Sequence, residues 1–172
     1  MINEKMTQAL NEQINAELYS AYLYLSMAAY FESVNLPGFA NWMRAQTQEE
    51  SMHAIKIYDF VNERGGRVIL EAIEQPPVEW KTPLAVFEAA CKHEQKVTGL
   101  INELVNLAIE EKDHATNAFL QWFINEQVEE EKNAGDIVGR LKLIEGSPQA
   151  LYMVDKEMAQ RVFVLPQPAE GN

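Results

Sequence analysis

Two short motifs at matching spacing carry the chemistry of this chain: Glu50-x-x-His53 and Gln127-x-x-Glu130. Each pair stands three residues apart, so on a helix both side chains share one face and can grip the same ion. Single carboxylates, Glu17 and Glu94, recur on two further amphipathic segments. All of these groups lie on apolar stripes, where an unpaired charge costs about several kcal/mol. Four carboxylates at one level would repel one another unless something cationic sat among them, and two divalent ions would cancel their charge. Oxygen-rich ligands with one imidazole suit iron or manganese, whereas a structural zinc site would take more Cys or His. Glu50 is the natural bridge between two metals, because its helix also supplies His53. Tyr24, one heptad after Glu17, is placed either to bond a ligand or relay an electron, or to serve as a core aromatic.

The elements that must position these groups are helices. One stripe runs Leu10, Glu17, Tyr24, Phe31; a second Phe39, Gln46, His53, Phe60; a third Phe87, Glu94, Ile101, Ala108; a fourth Phe123, Glu130, Ile137, Ile144. Each is apolar at its ends and polar near its centre. The first helix is predicted over Asn3–Ser33, ending at the turn Asn35-Leu36-Pro37-Gly38. The second is predicted over Phe39–Arg64, stopped by Gly65-Gly66. Thr82-Pro83 opens the third, which runs to Lys112, and Asp113 caps the fourth, which runs to Glu145. Ser147-Pro148 opens a shorter fifth helix to about Arg161. The bundle domain is expected over residues 1–164, followed by a loose Pro- and Gly-containing tail, Leu165–Asn172.

Short turns make the first and second helices one antiparallel hairpin and the third and fourth another. The segment from Gly65 to Lys81 is longer. Extended at ~3.3 Å per residue it covers roughly 55 Å, enough to run the length of a helix of roughly 39 Å. The second and third helices are therefore parallel. The expected fold is all-α: a four-helix bundle with one long crossover plus a short fifth C-terminal helix. In that topology Glu17, Glu50, His53, Glu94, Gln127 and Glu130 differ in height by only about 3 to 7 Å, so all six can reach one level of the interior.

The formal net charge of −12 argues against nucleic acid and anionic membranes as partners. No apolar run approaches a membrane span, the N-terminal MINEKMTQAL has no apolar signal core, and the expected location is cytoplasmic. The single cysteine, Cys91, cannot form an intrachain disulfide and reads as a small core residue. His93 is expected to face solvent and Met52 to lie at the surface or a subunit contact. A second acidic group, Glu49 with Glu126, Glu129 and Glu130, adjoins the first. Glu126, Glu129 and Glu130 share a face, and neither Glu126 nor Glu129 has a basic residue four positions on, where Glu130 and Asn133 stand. They form either a solvated face or a further acidic pocket.

These residues resemble the non-haem ferritins of bacteria and archaea, within the ferritin-like superfamily, over about residues 3–161. The resemblance rests on NAELYSAYLYLSMAAYF around Glu17 and Tyr24, QEESMHAIKIYDF around Glu49, Glu50 and His53, KHEQK around Glu94, and WFINEQVEEEK around Gln127 and Glu130. It implies iron storage with ferroxidase activity on Fe2+, with O2 or peroxide as oxidant, in a homo-oligomeric cage of 24 subunits. It assigns one iron to Glu17, Glu50 and His53, and a second to Glu50, Glu94 and Glu130 with Gln127 nearby. A third iron would take Glu49, Glu126, Glu129 and Glu130. Haem is not implied: Met52 falls where bacterioferritins place their haem ligand, but their second Glu-x-x-His is Gln127-x-x-Glu130 here. Asn117 and Leu120 replace the acidic pore residues of animal ferritins. Two alternatives stay open: a di-iron oxidase or peroxidase that stores nothing, and a structural bundle whose polar layer binds no metal.

Overall fold

The computed structural model describes residues 1–164; the expected loose tail, Leu165–Asn172, lies outside the described residues. Five helices follow in order: α1 Glu4–Ser33, α2 Pro37–Glu63, α3 Pro83–Glu110, α4 His114–Leu143 and α5 Pro148–Met158. Local sequence sets most starts. Asn3 accepts the Met6 amide at 2.8 Å, Thr82 that of Ala85 at 3.1 Å, Asp113 that of Thr116 at 3.1 Å, and Ser147 that of Ala150 at 3.3 Å. These side-chain oxygens occupy donors that a helix start leaves unpaired.

α2 differs. It begins two residues earlier than predicted, at Pro37, and its N-cap Leu36 has no side chain to offer. Asp155 of α5 does the work instead, accepting the Phe39 amide at 3.0 Å from a buried position. Gly38 permits this approach, because a Cβ there would overlap the Asp155 carbonyl. At the C-terminal ends α1 stops at Ser33 as predicted, while the other four helices are predicted too long. α3 stops at Glu110 because Lys112 takes a left-handed conformation (φ 55°) and turns the chain into α4; Asn35 does the same (φ 59°) between α1 and α2. α5 stops at Met158, not Arg161.

Residues 66–80 contain neither helix nor strand, although Val68 and Ile69 are adjacent β-branched residues. The reason lies in the partner surface. α1 pegs the crossover with side chains: Asn11 donates to the Arg67 carbonyl at 3.0 Å and accepts the Ile69 amide at 3.1 Å. Asn15 donates to the Ala72 carbonyl at 3.2 Å, and Ser26 to that of Pro77 at 2.7 Å. Crossover and α1 thus ascend together, which returns the chain to the far end of the bundle before α3 begins. α3 runs antiparallel to α1, with Lys5 beside Glu111 and Tyr24 beside Glu94. α4 runs antiparallel to α2, with Gln46 beside Glu130 and Arg64 beside Asp113. The predicted parallel pairing of α2 and α3 follows.

Two apolar blocks fill the interior. One contains Phe31, Phe39, Phe87, Ile137 and Val154. The other contains Leu10, Ile57, Ile101, Leu120 and Phe123. The polar stripe positions fall between them. Among the described residues, no helix is long and apolar enough to cross a membrane.

Candidate metal centre

Glu17, Glu50, His53, Glu94, Gln127 and Glu130 all come to the middle layer, each between 1 and 4% exposed. On the hairpin of α1 and α2, one ligand atom each from Glu17, Glu50 and His53 lies within 4.8 Å of the others. His53 Nδ1 is 3.5 Å from Glu50 Oε2. The imidazole is walled by Trp122 and Phe123, with ring centroids 5.3 and 5.9 Å away. Glu17 Oε2, Glu50 Oε1 and His53 Nε2 are buried without a hydrogen-bond partner in the protein. Buried polar atoms are normally satisfied, so three orphaned lone-pair carriers in one cluster point to a ligand.

The facing hairpin is better satisfied. Tyr24 donates its hydroxyl to Glu94 Oε1, and Gln127 donates to Glu94 Oε2 at 3.3 Å. Gln127 also lies 3.3 Å from the Thr98 hydroxyl, which donates to Glu131 at 2.6 Å. Gln46 donates to Glu130 Oε2 at 2.5 Å. These bonds fix the carboxylates in place before any ion arrives.

Burial dominates the electrostatics. It pushes Glu17 up to about 7, against the bond from Gln13. It pushes Glu130 up to about 8, with Glu94 adding to the effect. Glu50 rises well above the carboxylate range through burial and then the charges of Glu94, Glu17 and Glu130. His53 is driven down to about 4 by burial and by Lys56, which leaves it neutral and able to ligate. Protonated acids around a neutral imidazole exchange protons for a cation on metal binding.

This arrangement has known relatives. Residues 7–144 match the family model of the ferritin-like domain. The chain belongs to that family. It is 45% identical to a bacterial non-heme ferritin of Bacteroides fragilis (strain 638R) over 161 residues, which is 94% of this chain and all of the relative. It is 41% identical to a bacterial non-heme ferritin of Staphylococcus saprophyticus over 163 residues, covering 95% of this chain and 98% of the relative. Among solved structures it is similar to an open pore ferritin from the archaeon Archaeoglobus fulgidus. The TM-score is 0.94 at 60% identity, over 94% of this chain and all of the other. A closed form of the Archaeoglobus fulgidus ferritin, engineered by mutagenesis, gives 0.95 at 60% identity over 95% of this chain.

Within this ferritin-like chain several expectations change. His93 is half-buried, not solvent-facing: its Nε2 is 2.8 Å from Ser20 Oγ, and its ring packs on Tyr19 and Tyr24. α1 and α3 are direct neighbours, so a position one step off the stripe of α3 meets α1 rather than water. Cys91 is half-buried rather than core. Leu120 is fully buried in the second apolar block, so its side chain lines no surface opening.

The second acidic group is not free of basic neighbours. Glu49 accepts a 2.6 Å bond from Arg161, over a hundred residues away in sequence and invisible to any helical spacing rule. Glu126 is half-buried, and its carboxyl is raised by burial and by Glu129 and Glu49. Glu129 is exposed. Gln13 was also missed, although it sits one turn before Glu17 and bonds it at 2.8 Å. Gln46 was visible on its stripe, one heptad before His53, but nothing in its type marked it as a carboxylate holder.

Proposed function

We propose that this protein is an iron-storage ferroxidase. The observation that carries the reading is the cluster of orphaned, buried ligand atoms on Glu17, Glu50 and His53, faced by Glu94 and Glu130 in a ferritin-like bundle. Glu17, Glu50 and His53 hold one Fe2+. Glu50, Glu94 and Glu130 hold the second, with Gln127 orienting Glu94. Each Fe2+ gives up one electron; O2 takes two electrons and two protons and leaves as hydrogen peroxide, or peroxide itself serves as oxidant and is reduced to water. Burial supports the chemistry by keeping water and stray reductants from the reacting ions, and Tyr24 holds Glu94 in register. Glu49, Glu126, Glu129 and Glu130 form a third iron position beside the centre, where ions pause on the way to storage.

Storage requires an enclosure, and we propose the 24-subunit cage formed by self-association. Exposed Tyr22 and Leu25 on α1 lie with Ile73 of the crossover around one shallow apolar depression, a surface that a second copy would cover. The proposed setting is the cytoplasm. The deciding experiment is aerobic Fe2+ loading followed by native mass measurement. Hundreds of iron atoms retained per assembly support storage. Two or three per subunit would instead indicate an oxidase that stores nothing, and none would indicate a metal-free bundle.

A further inference from the structure

The C-terminal end of the described chain is tied down beside the metal centre. Asn41 on α2 donates to the carbonyls of Met158, Ala159 and Arg161 at 3.4, 3.3 and 2.9 Å. That anchor delivers the Arg161 guanidinium onto the face of Trp42, 4.2 Å from the ring centroid. From there Nη2 reaches Glu49 Oε2 at 2.6 Å. Both partners are largely shielded from water, with side chains 21 and 23% exposed. A planar guanidinium fixed by stacking loses little freedom on making such a bond.

Glu49 is also the chain neighbour of Glu50, and it shares a face of α2 with Gln46, one turn back. Gln46 is fully buried; its Nε2 bonds Glu130, and its Oε1 has no partner. Arg161 thus pairs with Glu49, its charge is felt by the buried Glu130, and its own Nη1 is buried without a partner. A divalent ion would seek the same oxygen atoms.

We propose that Arg161 is the resident cation of the second acidic group, and that a metal ion fills the position formed by Glu49, Glu126, Glu129 and Glu130 only as the guanidinium leaves Glu49. This rests on the third-position reading given above. Two cations competing for one carboxylate weaken each other by the same factor. Arg161 therefore makes the third position weaker than the buried centre, which suits an ion that is to move on. Filling it also releases the segment after α5 from Glu49, so occupancy is felt at the C-terminal end of the chain.

The test is anaerobic titration calorimetry of the assembled protein with Zn2+, a redox-inert probe, on wild type, Arg161→Gln and Asn41→Ala. Asn41→Ala keeps the charge and loosens its tether, and it serves alone if Arg161→Gln does not fold. The expected result is a third Zn2+ that binds roughly tenfold more tightly in Arg161→Gln, a size ordinary for coupling between two ligands. Asn41→Ala should shift it in the same direction by less, and the two tighter Zn2+ ions should not change. A third ion seen only in the variants would support the proposal as well. A third Zn2+ present in wild type with unchanged or weaker affinity in the variants overturns the role of Arg161 alone. Two ions in wild type and variants alike overturn the third position, and Arg161's role with it.

Discussion

Gln13 donates its amide to Glu17 Oε1 at 2.8 Å, while Glu17 Oε2 has no partner. One oxygen of the carboxylate is held and the other is presented. On Glu50 too Oε1 is unpartnered, while Oε2 stands 3.5 Å from His53 Nδ1 without a hydrogen bond. A carboxylate held by one oxygen cannot turn away from an arriving ion, so the geometry is set before binding.

Glu50→Ala is expected to slow Fe2+ oxidation more than any other single change in the layer, by roughly tenfold or more. It is the one residue assigned to both ions. Rapid-mixing absorbance after O2 addition measures this; oxidation at the wild-type rate in Glu50→Ala would remove the bridging assignment.

Metal-free protein should lose stability as pH rises from about 6.5 to 8.5. Glu17 and Glu130 titrate at about 7 and about 8 in the fold, above their ordinary 4.5, so the native state keeps protons the unfolded chain has released. Their stabilisation is full below the unfolded value and fades as pH passes the folded ones. His53 and His93 act in the opposite sense, since both fall to about 4 in the fold. Their contribution is complete above about 6.5 and is lost at lower pH. Thermal melts across that window should show the decline, and a rising midpoint would contradict it.

Saturating Zn2+ should raise the melting midpoint, because an ion that binds only the folded state stabilises it by mass action. At about a hundred times the dissociation constant the gain is about 2.7 kcal/mol, or roughly 5–10 °C for a chain of this size. It should be larger at pH 8.5 than at 6.5, since fewer protons must then be displaced. A midpoint indifferent to Zn2+ at both pH values would favour a polar layer that binds nothing.

Much of the buried polar layer was legible in the sequence because its residues obey helical spacing: a polar group on an apolar stripe advertises its own cost. Connection lengths were enough to make α2 and α3 parallel. What escaped were contacts between elements distant in the chain. His93 turns inward because α1 lies against α3. Arg161 reaches Glu49 because α5 folds back on α2. The cap of α2 comes from Asp155 rather than from its own N-terminal residues. No local pattern encodes such pairs; they arise only once the helices are packed.

Gly38→Ala tests that last contact. The added methyl would overlap the Asp155 carbonyl, and no side chain there can give way. The expected cost is about 1–3 kcal/mol or more, as for other overpacked sites. α5 should detach before the bundle unfolds, which hydrogen exchange of the Phe39 amide would report as early loss of protection. Protection equal to wild type would show that α5 can shift without penalty.

The pegged crossover makes the two hairpins equivalent halves of the bundle. Glu17 and Glu94, Glu50 and Gln127, and His53 and Glu130 stand at one constant offset along the chain, as do the left-handed turn residues Asn35 and Lys112. The polar layer therefore lies on an approximate internal two-fold axis, and only the residue types break its symmetry. Each half supplies two carboxylates and one neutral group, imidazole on one side and amide on the other. Charge is shared evenly between the halves while ligand softness is not. Two like ions meeting there would see unlike surroundings, an inequality set by the pairs Glu50/Gln127 and His53/Glu130.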